Sequence, residues 1–146
     1  MAGGVRRDAV ACAVVANSAV PSALRSGQLY EAEQLANLGV GKNTSIFRPT
    51  AEQVDTATFK AIVGDAQYTK GGQLKGTIFD SSPQSGYPGY LEIKGGTSEL
   101  NSTYQLRLQT YKAVTEGQPY TIQTTRPVNP AFQQWLDFWG VNVVKP

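Results

Sequence analysis

The sequence predicts a layered α/β (α+β) domain, a mixed central sheet flanked by helices. Three observations predict it. Helical and extended patterns follow one another along the chain, in the order helix, short element, β-hairpin, strand, helix, strand, helix, strand. Glycine pairs and prolines punctuate nearly every junction. At 146 residues with 40% hydrophobic content, the chain is long enough to bury one core.

Residues 1–21, "MAGGVRRDAVACAVVANSAVP", place two arginines before an Ala/Val run. Asp8, Asn17 and Ser18 make it too polar and too short for a membrane span, and it lacks the Leu-rich core of a signal peptide. It is read as a lead-in or short helix at a domain junction. Residues 22–146 are read as the single domain. No stable membrane insertion is expected.

Within that domain, Ser22 to Leu38 carries Leu24, Leu29, Leu35 and Leu38 among Ala, Glu and Gln, and stops at Gly39 and Gly41, so much of it is helix. The stretch 43–64 is ambiguous. Thr50 with Gln53 has the form of a helix cap, while Thr56 to Val63 is rich in β-branched and aromatic residues. "AQYTKGGQLKGTIFD" predicts a hairpin turning at Gly71-Gly72, its second strand ending at Asp80. "SSPQSGYPG" is a loop and "YLEIKGG" a strand. In "TYQLRLQTYKAVTEG" the spacing of Tyr104, Leu108, Tyr111 and Val114 predicts a helix closed by Gly117. "PYTIQTTRP" predicts another strand. "NPAFQQWLDFWG" predicts a helix capped by Asn129 with Pro130 in its first turn, and "VNVVKP" a last strand. Trp135 and Trp139, four apart, share a face with Phe132 and are read as core, as is Tyr90.

Composition removes several chemistries. Without histidine there is no Ser-His-Asp triad, no His-His ribonuclease pair and no ordinary zinc catalysis. The one cysteine, Cys12, excludes an intramolecular disulfide and multi-Cys zinc sites, and is read as packing. A net charge of +2 singles out no partner.

Charged residues are only 16% of the chain, so their placement carries information. Asp80 ends one predicted strand, and Glu92 and Lys94, two apart on the next, share a face. Alone, the Glu-Lys pair could be a surface ion pair worth under about 1 kcal/mol. With Asp80 beside it, the group has the makings of a hard-metal site. Two carboxylates and the main-chain carbonyl of Ile93 would hold Mg2+, Mn2+ or another divalent cation, and Lys94 would orient water or oppose developing charge. The absence of histidine and the helix that follows favour this catalytic reading. Asp55, Asp65 and Asp137 have no partners at useful spacing and are read as surface.

"IFD", then "YLEIKGG", then a helix bearing "TYQLRLQTY" resembles the PD-(D/E)xK nucleases, the restriction-endonuclease-like superfamily, over roughly Ser22 to Gln123. The family core is an acidic helix, a three-stranded antiparallel sheet carrying Asp and Glu-x-Lys, a helix and a further strand. The aspartate here lacks a preceding proline. The resemblance implies catalysis by Asp80, Glu92 and Lys94, with Glu31, in preference to Glu33, as the acid of the first helix and Gln105 as a polar helper. From their place on the helix after the site, Tyr104, Arg107 and Lys112 are candidates to meet the nucleic acid, and a solvated helix face explains Arg107 and Lys112 equally well. The stretch from Tyr104 to Pro146 is similar to the C-terminal toxin domains of bacterial polymorphic toxins, including contact-dependent growth inhibition and Rhs-type proteins. That likeness implies a nuclease cutting DNA, tRNA or other RNA of a competing bacterium. It would be delivered within a larger secreted toxin, act in the target-cell cytoplasm and be neutralised by a cognate immunity protein. The alternatives are a metal-independent ribonuclease toxin of another fold and a non-catalytic binding module.

Overall fold

The computed structural model describes residues 22–146, with side-chain surroundings from residue 26 onward. The expectations for residues 1–21 and Cys12 lie outside the described residues.

Helix α1 spans Ser22–Leu38, and two short helices follow, α2 (Ala51–Val54) and α3 (Ala57–Ile62). Strand β1 (Tyr90–Lys94), helix α4 (Tyr104–Glu116), strand β2 (Tyr120–Thr124), helix α5 (Pro130–Phe138) and strand β3 (Asn142–Val144) complete the order. The sheet β1-β2-β3 is parallel throughout, with Tyr90 opposite Tyr120, Glu92 opposite Ile122 and Thr121 opposite Asn142. Each parallel connection passes through a helix, as parallel pairing requires. The architecture is thus a mixed α+β domain. Among the described residues, no helix is long and apolar enough to cross a membrane.

Caps settle the helices. Thr50 and Gln53 form a reciprocal capping box that starts α2, and Thr56 accepts from Phe59 N to start α3. These caps make residues 51–54 and 57–62 of the ambiguous stretch helical despite its β-branched residues, while residues 43–50 stay irregular apart from a bridge at Phe47. Thr103 caps α4 and Gly117 closes it; Asn129 caps α5 ahead of Pro130.

The predicted hairpin is the main departure. Its turn forms, with Gly71 and Gly72 both at positive φ, but the legs meet in one antiparallel bridge, Tyr68 with Leu74. The second leg then changes partner twice, bridging Phe47 through Thr77 and Leu91 through Ser81, both antiparallel. One bridge per partner builds no ladder, so neither expected strand appears. The segment ending at Ser81 still lies antiparallel along the free edge of β1.

Side chains alternate across the sheet. Leu91 and Ile93 pack with Leu35 of α1 on one face. Tyr90, Tyr120 and Ile122 face α4 and α5 on the other, among Leu106, Ala113, Phe132 and Leu136. Helix α3 backs α4 through Phe59, Ile62, Leu108 and Tyr111, and Trp135 and Trp139 pack against both of these clusters. Each fully buried Leu or Ile contributes roughly 1.5–3 kcal/mol. Of the α1 leucines from residue 26 onward, only Leu35 is buried; Leu29 and Leu38 are exposed.

Gly89 permits the start of β1. It has φ +128°, and a Cβ there would lie 2.6 Å from Pro119 O, the atom that accepts from Tyr90 N. Gly89→Ala is expected to destabilise the fold by about 2–4 kcal/mol through strain and clash, read as a lowered denaturant midpoint.

Candidate active site at the free edge of β1

The loop 41–43 and the segment 79–81 are fastened together. Gly41 N donates to Ser85 O at 2.8 Å, Ser81 Oγ to Gly41 O at 2.7 Å, and Asn43 N to Asp80 O at 3.0 Å. Asn43 Nδ2 adds a bond to Phe79 O at 3.1 Å. These bonds clamp the backbone on both sides of Lys42 and hold Asp80 against β1, where Asp80 N donates to Leu91 O.

Asp80 then turns its carboxylate onto the strand, where Oδ2 accepts from Ile93 N at 2.7 Å. Its Oδ1 lies 3.7 Å from Lys42 Nζ, and Lys42 also forms an ion pair with Glu31 of α1. Glu92, 3% exposed, projects into the layer between sheet and α4. There Lys94 Nζ approaches Glu92 Oε2 at 3.1 Å and Gln109 Nε2 donates to Glu92 Oε1 at 3.0 Å. Lys94 Nζ also donates to Gln105 Oε1 at 3.3 Å. Gln109 is completely buried, donates also to Thr77 Oγ1 at 3.0 Å, and accepts from the Tyr120 hydroxyl.

Burial and the neighbouring charge of Glu92 push the Asp80 carboxyl from its ordinary 3.8 up to about 8, against the lowering influence of the Ile93 N–H. Burial likewise raises Glu92, opposed chiefly by Lys94. Burial works to lower Lys42, yet its ion pair with Glu31 and the fields of Asp80 and Glu92 leave it raised. Tyr120 is raised well above 10.0 by burial and by both acids, so it stays neutral and donates. The cluster is an acid-rich pocket in low dielectric, short of positive charge.

Among the described residues, no group of three or more His, Cys, Asp or Glu side chains could hold a metal alone. Main-chain oxygen extends the set. Tyr90 N and Lys94 O face β2, whereas Leu91 exchanges backbone bonds with Ser81 and Ile93 N faces Asp80. Alternation along the strand therefore turns the Ile93 carbonyl toward the Asp80 edge. Asp80, Glu92 and this carbonyl are hard oxygen donors, two of them carboxyls whose pKa burial raises. They fit a Mg2+-type cation, whose charge would offset that burial.

Asp80, Glu92, Lys94, Glu31 and Gln105 thus meet along one edge, Glu31 through Lys42, while Glu33 is exposed. The expected nucleic-acid contacts stand differently. Arg107 gives Nε to Val63 O and Nη1 to Ser102 Oγ, tying α4 to the end of α3. Lys112 pairs with Glu116 and lies 4.7 Å over the Phe47 ring. Tyr104 is buried with its hydroxyl on Lys75 O at 3.0 Å. Their polar groups are occupied by the fold itself.

Two residues of the site escaped sequence reading. Gln109 stands one turn beyond Gln105 on the same helix face, a signal that was present. Lys42 follows a glycine-rich turn and had none. Gln109→Leu leaves Glu92, Thr77 and Tyr120 each short of a buried partner. It is expected to cost about 2–4 kcal/mol by chemical denaturation, more than a surface Gln→Leu change such as Gln118→Leu.

No protein-family model matches the chain, and no curated protein or solved structure matches it either.

Proposed function

We propose that this domain is a divalent-metal-dependent nuclease with the restriction-endonuclease-like core, hydrolysing phosphodiester bonds in nucleic acid. One observation carries the reading. Two buried acids, Asp80 and Glu92, are brought together from separate segments at a sheet edge, with Lys94 on the second acid. A globular core gains nothing by burying two acids side by side, whereas a metal site uses such a pair. The antiparallel approach of Ser81 to Leu91, and the β1-α4-β2 parallel crossover behind it, support the core assignment.

In this reading Asp80, Glu92 and the Ile93 carbonyl hold Mg2+ or Mn2+. The cation supplies Lewis acidity toward a phosphate oxygen and lowers the pKa of a bound water. Lys94, fixed by Glu92 and Gln105, places an ammonium where it orients the attacking water and opposes charge developing on phosphorus oxygens. Gln109 holds Glu92 in position, itself held by Thr77 and Tyr120. Glu31 supports the site through Lys42, which keeps a positive charge beside Asp80. The likeness of the stretch from Tyr104 to Pro146 to polymorphic toxin domains extends the reading to a toxin delivered into a competing cell, with an immunity protein as its cognate inhibitor.

Metal binding tests the reading before any substrate is known. Titrating the protein with Mn2+ and following the free-ion electron paramagnetic resonance signal is expected to show roughly one or two ions bound per chain. Asp80→Asn is expected to abolish or strongly weaken that binding. Wild-type protein that leaves all the Mn2+ free, and cuts equally well in chelator, would point to the metal-independent ribonuclease.

A further inference from the structure

A cleft of about 600 Å³ is not centred on the acids but opens beside them. Its wall includes Gln105, which accepts from Lys94, and Thr77, which accepts from the Gln109 that holds Glu92. It is therefore continuous with the proposed catalytic edge.

Its lining carries two cations, Arg48 and Lys75, and no acid. Both are exposed, in a chain whose net charge is only +2. Thr103, the cap of the 13-residue helix α4, also borders it, so the positive end of a helix dipole adds to the same potential. The same lining includes two exposed apolar side chains, Ile46 at 55% and Ile78 at 40%. The segment through residue 76, which lines the cleft, can run this close to Phe47 because residue 76 is glycine: a Cβ there would lie 2.7 Å from Phe47 O. Cations sharing one cleft with exposed apolar surface match a nucleic-acid strand, phosphates on the cations and bases or sugars on the isoleucines. The cleft has the size of a small-molecule site and is too small to enclose a duplex.

We infer that this cleft binds an unpaired stretch of the substrate strand beside the scissile phosphate, Arg48 and Lys75 taking its phosphates, so that the substrate is single-stranded or looped nucleic acid. The inference deepens the nuclease reading and rests on it only for the direction in which the strand leaves the site. Arg48 keeps one N–H on Leu74 O at 2.8 Å, and Lys75 reaches only weakly toward Gln67 at 3.4 Å, so both retain donors for phosphate.

The test is fluorescence anisotropy in EDTA, with no cleavage step. The probes are a labelled mixed-sequence 12-nucleotide single strand, as DNA and as RNA, and a blunt duplex of the same sequence. Wild-type protein is expected to bind a single strand at least about tenfold more tightly than the duplex. Lys75→Glu and Arg48→Glu/Lys75→Glu are expected to lose about tenfold or more. The double variant should flatten the log-affinity against log-salt slope by about 1.4, at roughly 0.7 per lost phosphate contact on a single strand. Lys145→Glu, after the strand at the opposite edge of the sheet, is the matched charge control and should bind nearly as wild type. Circular dichroism checks the fold, and Lys75→Gln, a milder change, should fall between. Equal binding of duplex and single strand would overturn the inference, as would an equal loss in Lys145→Glu or unchanged binding in folded Lys75→Glu. A wild-type protein that cuts nucleic acid while the cleft variants bind normally would sink the cleft and leave the nuclease standing. The reverse pattern, cleft-dependent binding without any cutting, would keep the cleft and remove the nuclease.

Discussion

Asp80→Asn is expected to abolish cleavage while making the metal-free protein more stable. The two effects share a cause. Asp80 has its carboxyl pushed up to about 8, first by burial and then by Glu92. An acid raised in this way keeps a proton in the folded protein that the unfolded chain has already released between pH 3.8 and about 8. The unfolded state binds fewer protons in that window, so the stability of the metal-free protein falls as pH rises through it. Glu92, also raised, acts in the same direction. Asparagine keeps an oxygen for the Ile93 N–H and carries no charge. At pH 8 the variant should be more stable than wild type by about 1–2 kcal/mol, a few degrees in Tm, and the gap should close toward pH 4. Saturating Mg2+ should stabilise wild type and leave the variant unmoved. Cleavage should fall beyond the roughly 10- to 100-fold typical of changes that only support a metal ligand. A variant less stable than wild type at pH 8, with normal cleavage, would contradict both parts.

Lys94→Met is expected to separate metal binding from catalysis. Methionine preserves the stem, so packing against α4 changes little. The ammonium that approaches Glu92 at 3.1 Å and donates to Gln105 is lost. Lys94 is the chief influence holding the Glu92 carboxyl down against burial, so that carboxyl should rise further in the variant. Mn2+ affinity should stay within about tenfold at pH 8, because both metal-holding acids remain. The rate of the chemical step should fall by about 10²- to 10³-fold, the scale of losing one preorganised donor to developing charge. Single-turnover cleavage at saturating metal reads the difference. An equal loss of metal binding and rate would instead make Lys94 a structural partner of Glu92.

The parts of this fold that were legible in the sequence are those whose partners are local or periodic. Helix α4 follows from the three-and-four spacing of its apolar residues, its Gly117 stop included. Thr50, Asn129 and Pro130 mark helix starts because capping is a matter of three or four neighbouring residues. The segment from Ala66 to Ser81 misled because extended propensity says nothing about which strand is met. Its residues meet Tyr68, Phe47 and Leu91 in turn, one bridge each, and no regular strand accumulates. Alternation along "YLEIK" placed Glu92 and Lys94 on one face, and their contact follows. Lys42 reaches Asp80 only because Ser81, Ser85 and Asn43 clamp the loop 41–43 to the segment 79–81, a tertiary arrangement with no local signature. Arg107 and Lys112 read as free cations on a helix, but Val63 O, Ser102, Glu116 and the Phe47 ring engage them. The cations of the cleft beside the site, Arg48 and Lys75, come instead from the irregular segments that precede that helix.

The most direct measurement is an endpoint digestion of plasmid DNA, single-stranded DNA and total cellular RNA by the purified protein. It compares Mg2+ with EDTA, and wild type with Asp80→Ala and Glu92→Gln. The account predicts cutting of at least one substrate in Mg2+, none in EDTA, and none by either variant when both remain folded by circular dichroism. Cutting that persists in EDTA or in the folded variants would contradict it, as would a folded wild-type protein that cuts none of the three.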